Sequence, residues 1–184
     1  MRSIVFSDLD GTLINSAYEI TPKTLEAIRT LQEQEFPFVV VSARSPMGIE
    51  SVIKAYGIRC PIIALNGALI LDEQRRPIYT KGIRKSKAAV IVDFLEQDGY
   101  DTTWCVYAFD QWLVKGVSDP RIVNEASIVK TVAKAGEVRD VEGDEVHKIM
   151  CICDPKESVR LEKDLKIAFP KETVVRSSAV LIEI

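Results

Sequence analysis

Histidine is nearly missing from this 184-residue sequence. His147 is the only one, so any mechanism or metal site that needs two is excluded. Cysteine is scarce and badly spaced for a metal. Cys60 and Cys105 stand alone, and Cys151 and Cys153 form a C-x-C pair in "HKIMCICD" that does not match the usual zinc spacings. Two residues apart on a strand they would point the same way, and the expectation is small apolar filler in a reducing cytosol. A dominant charge is lacking too. With 24 basic and 27 acidic residues the net charge is −3, which gives no electrostatic reason to expect nucleic acid or an anionic membrane as partner. No apolar run approaches the length of a membrane span. "MRSIVFSD" brings charge before a signal-peptide core could form, so the expected location is cytoplasmic. There is no Gly/Ser-rich linker, internal repeat or low-complexity tract to divide the chain.

What is present reads as alternating strands and helices. "SIVFSD" (3–8) is an apolar, β-branched run, expected as a strand buried on both faces of a parallel sheet. In "ITPKTLEAIRTLQEQ", Thr21 is placed to cap a helix with Pro22 at its first position, and Leu25, Ile28 and Leu31 share one face. "FPFVVVSAR" supplies a second strand entered at Pro37. "SPMGIESVIKAYG" is a second helix with Ser45 as cap, Pro46 first and Gly57 as stop, and "CPIIALNG" is a third strand. That order predicts right-handed parallel crossovers and a Rossmann-like α/β sheet. "ALILDEQRRPIYTKGI" then reads as a β-hairpin.

Beyond it the pattern becomes an α+β module. It has a helix over 86–99, strands in "YDTTWCVYAF" and "QWLVKG", and short helix or loop segments over 119–143. The strand "HKIMCICD" follows, then a helix opened by Pro155, and strand-like "TVVRSS" and "AVLIEI". A boundary is expected near 80–85, dividing the chain into 1–82 and 83–184. Trp104, Tyr107, Phe109 and Trp112 form an aromatic cluster in the second part, read first as packing and only secondarily as a stacking surface.

Ligands of open α/β sheets bind beyond the carboxyl ends of the strands. Asp8 ends the first strand, Ser42 the second, and Asn66 follows the third, so three polar groups are expected on one rim. A bland reading remains for each, since D-G and N-G are common turns and serine commonly starts helices. Two acids side by side, however, repel unless a cation intervenes. A carboxylate is a usable nucleophile towards phosphorus. Mg²⁺, which prefers oxygen ligands, would keep Asp8 ionised and screen an incoming phosphate. Asp10 could give a proton to the leaving oxygen and later take one from water. Gly11 would let backbone amides approach the phosphate, and Ser42 would donate to its oxygens.

These residues carry a resemblance. "DLDGTL" (8–13) resembles the first motif of the haloacid dehalogenase (HAD) superfamily, D-x-D-G-T-[LV], and "VVVSAR" (39–44) resembles its second. With "NGALI" (66–70), the chain is similar to the Cof-type, or IIB, phosphatases, which insert an α/β cap after the third core strand. The resemblance implies a HAD core over 1–82 and a cap over 83–184. It also implies an aspartyl-phosphate on Asp8, with Asp8 and Asp10 as Mg²⁺ ligands, the latter through its backbone carbonyl, and Asp10 as general acid/base. Ser42 would bind the phosphoryl group with the backbone of Leu9 and Ala43, while Arg44 and Asn66 border the pocket. Ala43 stands where many relatives have glycine, which keeps the N–H and gives up freedom in the loop.

The family also uses a later lysine and an acidic fourth motif, G-D-x-x-N-D. "EGDEVHK" (142–148), Lys115 and Lys148 fall in the cap, so the final part of the core is expected to be absent and the core incomplete. The first strand would then expose an apolar edge, inviting a homo-oligomer. The expected substrate is a small phosphorylated metabolite, hydrolysed slowly or not at all by these 184 residues alone. The alternatives are a sugar phosphomutase or sugar-phosphate phosphatase with a similar cap, and a non-catalytic, truncated phosphate-binding or assembly module. A receiver-type phosphoacceptor domain fits less well, because it carries no inserted cap.

Overall fold

The computed structural model describes residues 3–97 and 99–184. Met1 and Arg2, used above in reading the N-terminus, and Asp98, within the helix expected over 86–99, lie outside the described residues. The chain divides into two compact units, the first ending at Lys81 and the second running Gly82–Ile184.

The first unit contains β1 (Val5–Asp8), α1 (Pro22–Glu33), β2 (Phe38–Val41), α2 (Pro46–Ile53), β3 (Ile62–Ala64), β4 (Leu69–Leu71) and β5 (Pro77–Thr80). Both helices start as their sequences dictate. Thr21 Oγ1 accepts from the Thr24 N–H at 3.2 Å and Ser45 Oγ from the Gly48 N–H at 3.3 Å. A proline then occupies the first turn, where no intrahelical donor is needed. The sheet runs β1-β2-β3-β4-β5, with the first three strands parallel and the hairpin β4–β5 added antiparallel. Register is what builds the site. Asp8 lies opposite Val41, and Val41 opposite Ile63, so the three parallel strands end level with one another.

The burial of β1 differs from the sequence expectation. Among the described residues it pairs only with β2, and Phe6 is 59% exposed beside an exposed Ile4. Its composition suits a strand covered on both faces, yet one edge and part of one face are open.

The second unit contains β6 (Ile83–Arg84), α3 (Lys85–Leu95), β7 (Thr102–Ala108), β8 (Gln111–Val114), α4 (Pro120–Val129), β9 (Lys134–Ala135), β10 (Glu145–Val146), β11 (Lys148–Cys153), α5 (Pro155–Ala168), β12 (Val175–Arg176) and β13 (Leu181–Glu183). The main sheet has the order β12-β13-β11-β7-β8-β9, and β6 pairs with β10 separately. The stretch 119–143 holds α4, whose start is capped by Asp119 Oδ1 accepting from the Arg121 N–H at 2.9 Å. Ala88, Ile91 and Leu95 of α3 and Leu161 and Leu165 of α5 bury against Trp104, Val106, Ile149 and Cys151 of the sheet. Tyr107 and Trp112 pair across β7 and β8 with rings stacked at 5.7 Å, both buried. Three of the four aromatics therefore pack the unit, and Phe109 is partly exposed with its ring against His147. All four cysteines are free and buried, and burial pushes the Cys105 thiol up to about 12. None is poised to react. Among the described residues no helix is long and apolar enough to cross a membrane.

His147 supplies a stability test. Burial holds its imidazole below the ordinary value near 6.5, with Glu145 opposing more weakly. Its Nδ1 accepts from the Phe109 N–H at 3.3 Å, which only an unprotonated Nδ1 can do. Folding therefore favours the neutral ring. The stabilisation is complete above the unfolded pKa and fades as pH falls through the depressed folded one. Thermal midpoints measured from pH 7.5 down to 5 should decline more steeply for the native protein than for His147→Gln; parallel curves would contradict this.

Candidate active site

The segment "DLDGTLI" is organised by burial of its apolar residues. Leu9 is fully buried and Leu13 and Ile14 are buried, whereas Asp8 and Asp10 on either side of Leu9 are exposed. Asp8 closes β1 and Asp10 lies two residues beyond it. Behind them the chain turns sharply. The Leu13 and Ile14 N–H groups donate to the Leu9 carbonyl at 3.1 and 3.0 Å, and Gly11 takes φ +75°.

The second strand contributes "SAR". The Ser42 N–H donates to the Ile63 carbonyl at 2.9 Å, which extends the parallel ladder one residue past β2. Ser42 Oγ accepts from the Arg44 N–H at 3.1 Å, so its own proton is not spent on that bond. The Arg44 carbonyl in turn accepts from the Leu65 N–H at 3.0 Å, and the Asn66 N–H reaches the Ser42 carbonyl at 3.4 Å. Leu65, Asn66 and Gly67 all have positive φ, a tight reversal that the Asn-Gly pair makes feasible. Asp8, Asp10, Ser42, Ala43, Arg44 and Asn66 therefore gather at the carboxyl ends of β1, β2 and β3. Leu9 joins them only through its backbone.

Electrostatically the rim is dominated by one contact that sequence reasoning missed. Arg44 Nη2 donates to Asp10 Oδ1 at 2.7 Å and Nε to Oδ2 at 2.9 Å, a two-pronged ion pair across 34 residues. Tyr18 was also missed. Its ring centroid lies 5.9 Å from the Arg44 guanidinium carbon. It is carried on a loop in which Asn15 Oδ1 accepts from the Ala17 and Glu19 N–H groups at 2.9 and 3.0 Å. The one sequence signal was Asn15 itself, a residue that commonly ties such loops together.

Other charged residues lie elsewhere. Lys148 is buried in the second unit, 3.4 Å from Glu183 and 5.1 Å from the Tyr107 ring centre, and Lys115 pairs with Glu96 at 3.1 Å. A cavity of about 420 Å³ in that unit is lined by Trp104, Glu96 and Lys115 together with Glu137 and Arg139, which pair at 2.8 Å. Its cations are already matched, and nothing singles out a ligand.

The sheet thus presents two acids and a hydroxyl at the carboxyl rim of its parallel strands, where ligands of open α/β sheets bind. Comparison with known proteins narrows the reading. The family described as haloacid dehalogenase-like hydrolase matches residues 5–184. A "Putative phosphatase" of Haemophilus influenzae is 32% identical over 189 residues, covering 100% of this chain and 69% of that protein. A haloacid dehalogenase-like hydrolase from Bacteroides thetaiotaomicron has the same fold, with TM-score 0.88 at 23% identity over 100% of this chain and 70% of that one. So does the HAD subclass IIB sugar phosphatase BT4131, with TM-score 0.77 at 18% identity over 98% of this chain and 68% of that one. The chain belongs to the haloacid dehalogenase-like hydrolases. It spans roughly seven-tenths of the length of these three proteins.

Proposed function

We propose that this chain forms the catalytic rim and the cap of a Mg²⁺-dependent phosphatase acting on a small phosphorylated metabolite in the cytoplasm. The observation that supports the reading is that Asp8 and Asp10 are exposed around buried Leu9 at the end of β1, whose neighbour β2 leads directly into Ser42. In the first step an Asp8 carboxylate oxygen attacks phosphorus, and the bond from phosphorus to the ester oxygen breaks. Asp10 gives that departing oxygen its proton. In the second step Asp10 takes a proton from water, the water oxygen attacks phosphorus, and Asp8 leaves as a free carboxylate with phosphate as product. The Ser42 hydroxyl and nearby backbone N–H groups hold the phosphoryl oxygens.

The donors present fit Mg²⁺ in kind, being a carboxylate on Asp8 and the backbone carbonyl of Asp10, although no cluster of three acids, histidines or cysteines occurs among the described residues. When bound, the ion would neutralise charge between Asp8 and the phosphate. We take the second unit as the cap that selects the substrate, and the open edge of β1 as the place where further core strands, or a second copy, would pair.

The test is phosphate release from a panel of metabolite esters, with and without Mg²⁺. It compares the 184-residue chain with a C-terminally extended version designed to add further core strands. Mg²⁺-dependent release is expected from the extended form. Strong turnover by the 184-residue chain as a monomer would overturn the expected need for those strands. Binding of phosphate analogues by the extended form without turnover of any ester would favour the non-catalytic reading.

A further inference from the structure

We propose that Arg44 is the positioning residue for the proton-transfer carboxylate Asp10, fixing the acid's orientation rather than holding the substrate's phosphate. This rests on the reading of Asp10 as general acid. Both Asp10 oxygens are engaged, at 2.7 and 2.9 Å, by adjacent nitrogens of a planar guanidinium, which sets the plane of the carboxylate as well as its location. The pair is lopsided in exposure. The Arg44 side chain is 8% exposed and that of Asp10 45%, so a buried cation backs a carboxylate that solvent still reaches. A group placed to grip an incoming phosphate would have the opposite arrangement.

Arg44 is itself held. Its backbone is fixed to Ser42 Oγ and to the Leu65 N–H, and Tyr18 covers its guanidinium. Its stem runs past Gly48 of α2, where an added Cβ would sit 3.3 Å from Arg44 Cβ. Glycine inside a helix is less favourable than alanine, and here it leaves room for that stem. The loop that positions the phosphate-binding hydroxyl therefore also positions the proton donor, 34 residues away in sequence. Charge alone would be supplied by lysine, but the fork would not.

The experiment reads kcat/KM, which reports the steps up to departure of the first leaving group. In the catalytically competent form, Arg44→Ala, Arg44→Lys and Asp10→Asn are compared on an alkyl phosphate, whose leaving oxygen needs a proton, and on p-nitrophenyl phosphate, whose leaving group departs unaided. Circular dichroism confirms that each variant is folded. Losing a general acid costs about 10²–10⁴-fold, so Asp10→Asn should fall by that order on the alkyl ester and much less on the aryl one. Arg44→Ala should show the same selectivity, with a loss at least about tenfold greater on the alkyl ester, and Arg44→Lys should recover only part of it. Equal losses on both esters in Arg44→Ala, beside a selective Asp10→Asn, would show that Arg44 binds phosphate or merely ties the loops together, and would overturn this inference alone. An unselective Asp10→Asn would instead remove the reading of Asp10 as the acid, and the inference with it.

Discussion

Replacing Asp8 with asparagine should lower phosphate release by the competent protein by more than about 10³-fold while leaving the fold intact. An amide keeps the shape of the carboxylate and loses its nucleophilic oxygen, so the loss should appear in the chemical step. Structural damage is not expected, because Asp8 is exposed at the last position of β1 and the strand's register with Val41 runs through the backbone. Surface substitutions of this sort normally stay within about 0.5 kcal/mol. Removing one of two neighbouring acids also relieves repulsion, so a small gain in thermal midpoint would agree with the account. Phosphate release and thermal melting on the same sample separate the two effects. Substantial turnover by Asp8→Asn would mean that the nucleophile lies elsewhere.

The second large effect is on stability. Leu9→Ala should cost about 3–4 kcal/mol, near the middle of the range for emptying a fully buried leucine site. Leu9 has no exposed surface and stands between the two acids. Its side chain anchors the turn whose carbonyl receives the Leu13 and Ile14 N–H groups. A loss of that size is a large share of the 5–15 kcal/mol typical of a domain, and it should carry the positions of Asp8 and Asp10 with it. Leu9→Met, which keeps the volume, should cost less than about 1.5 kcal/mol. Urea unfolding of the three proteins checks both figures. A Leu9→Ala penalty no larger than that of Leu9→Met would show that the site is not packed as described.

Much of this was legible in the chain because the signals were local. Thr21-Pro22, Ser45-Pro46 and Asp154-Pro155 each place a capping oxygen before a proline, and α1, α2 and α5 begin there. Asp119-Pro120 carries the same signature and opens α4, within the stretch 119–143 that was expected to hold short helix or loop segments. The rim could be anticipated because three apolar runs end in Asp8, Ser42 and the residues before Asn66, and parallel strands of matched length must end together. What could not be read depended on register between distant segments. Nothing in "SAR" says that the arginine meets Asp10 instead of solvent; that follows from Asp8 lying opposite Val41 and from the turn Gly11 permits. Tyr18 took its place for similar reasons, through a positive φ that a tyrosine rarely adopts and no propensity would suggest. "SIVFSD" alone reads as a strand covered on both faces; an exposed edge was expected only through the family resemblance, and Phe6 is exposed.

The most direct measurement is mass spectrometry of protein quenched in acid during turnover of a phosphate ester with Mg²⁺. The account predicts a single added phosphoryl group on the peptide containing Asp8, absent from Asp8→Asn. Steady turnover with that peptide unmodified, or with the label on another residue, would contradict it.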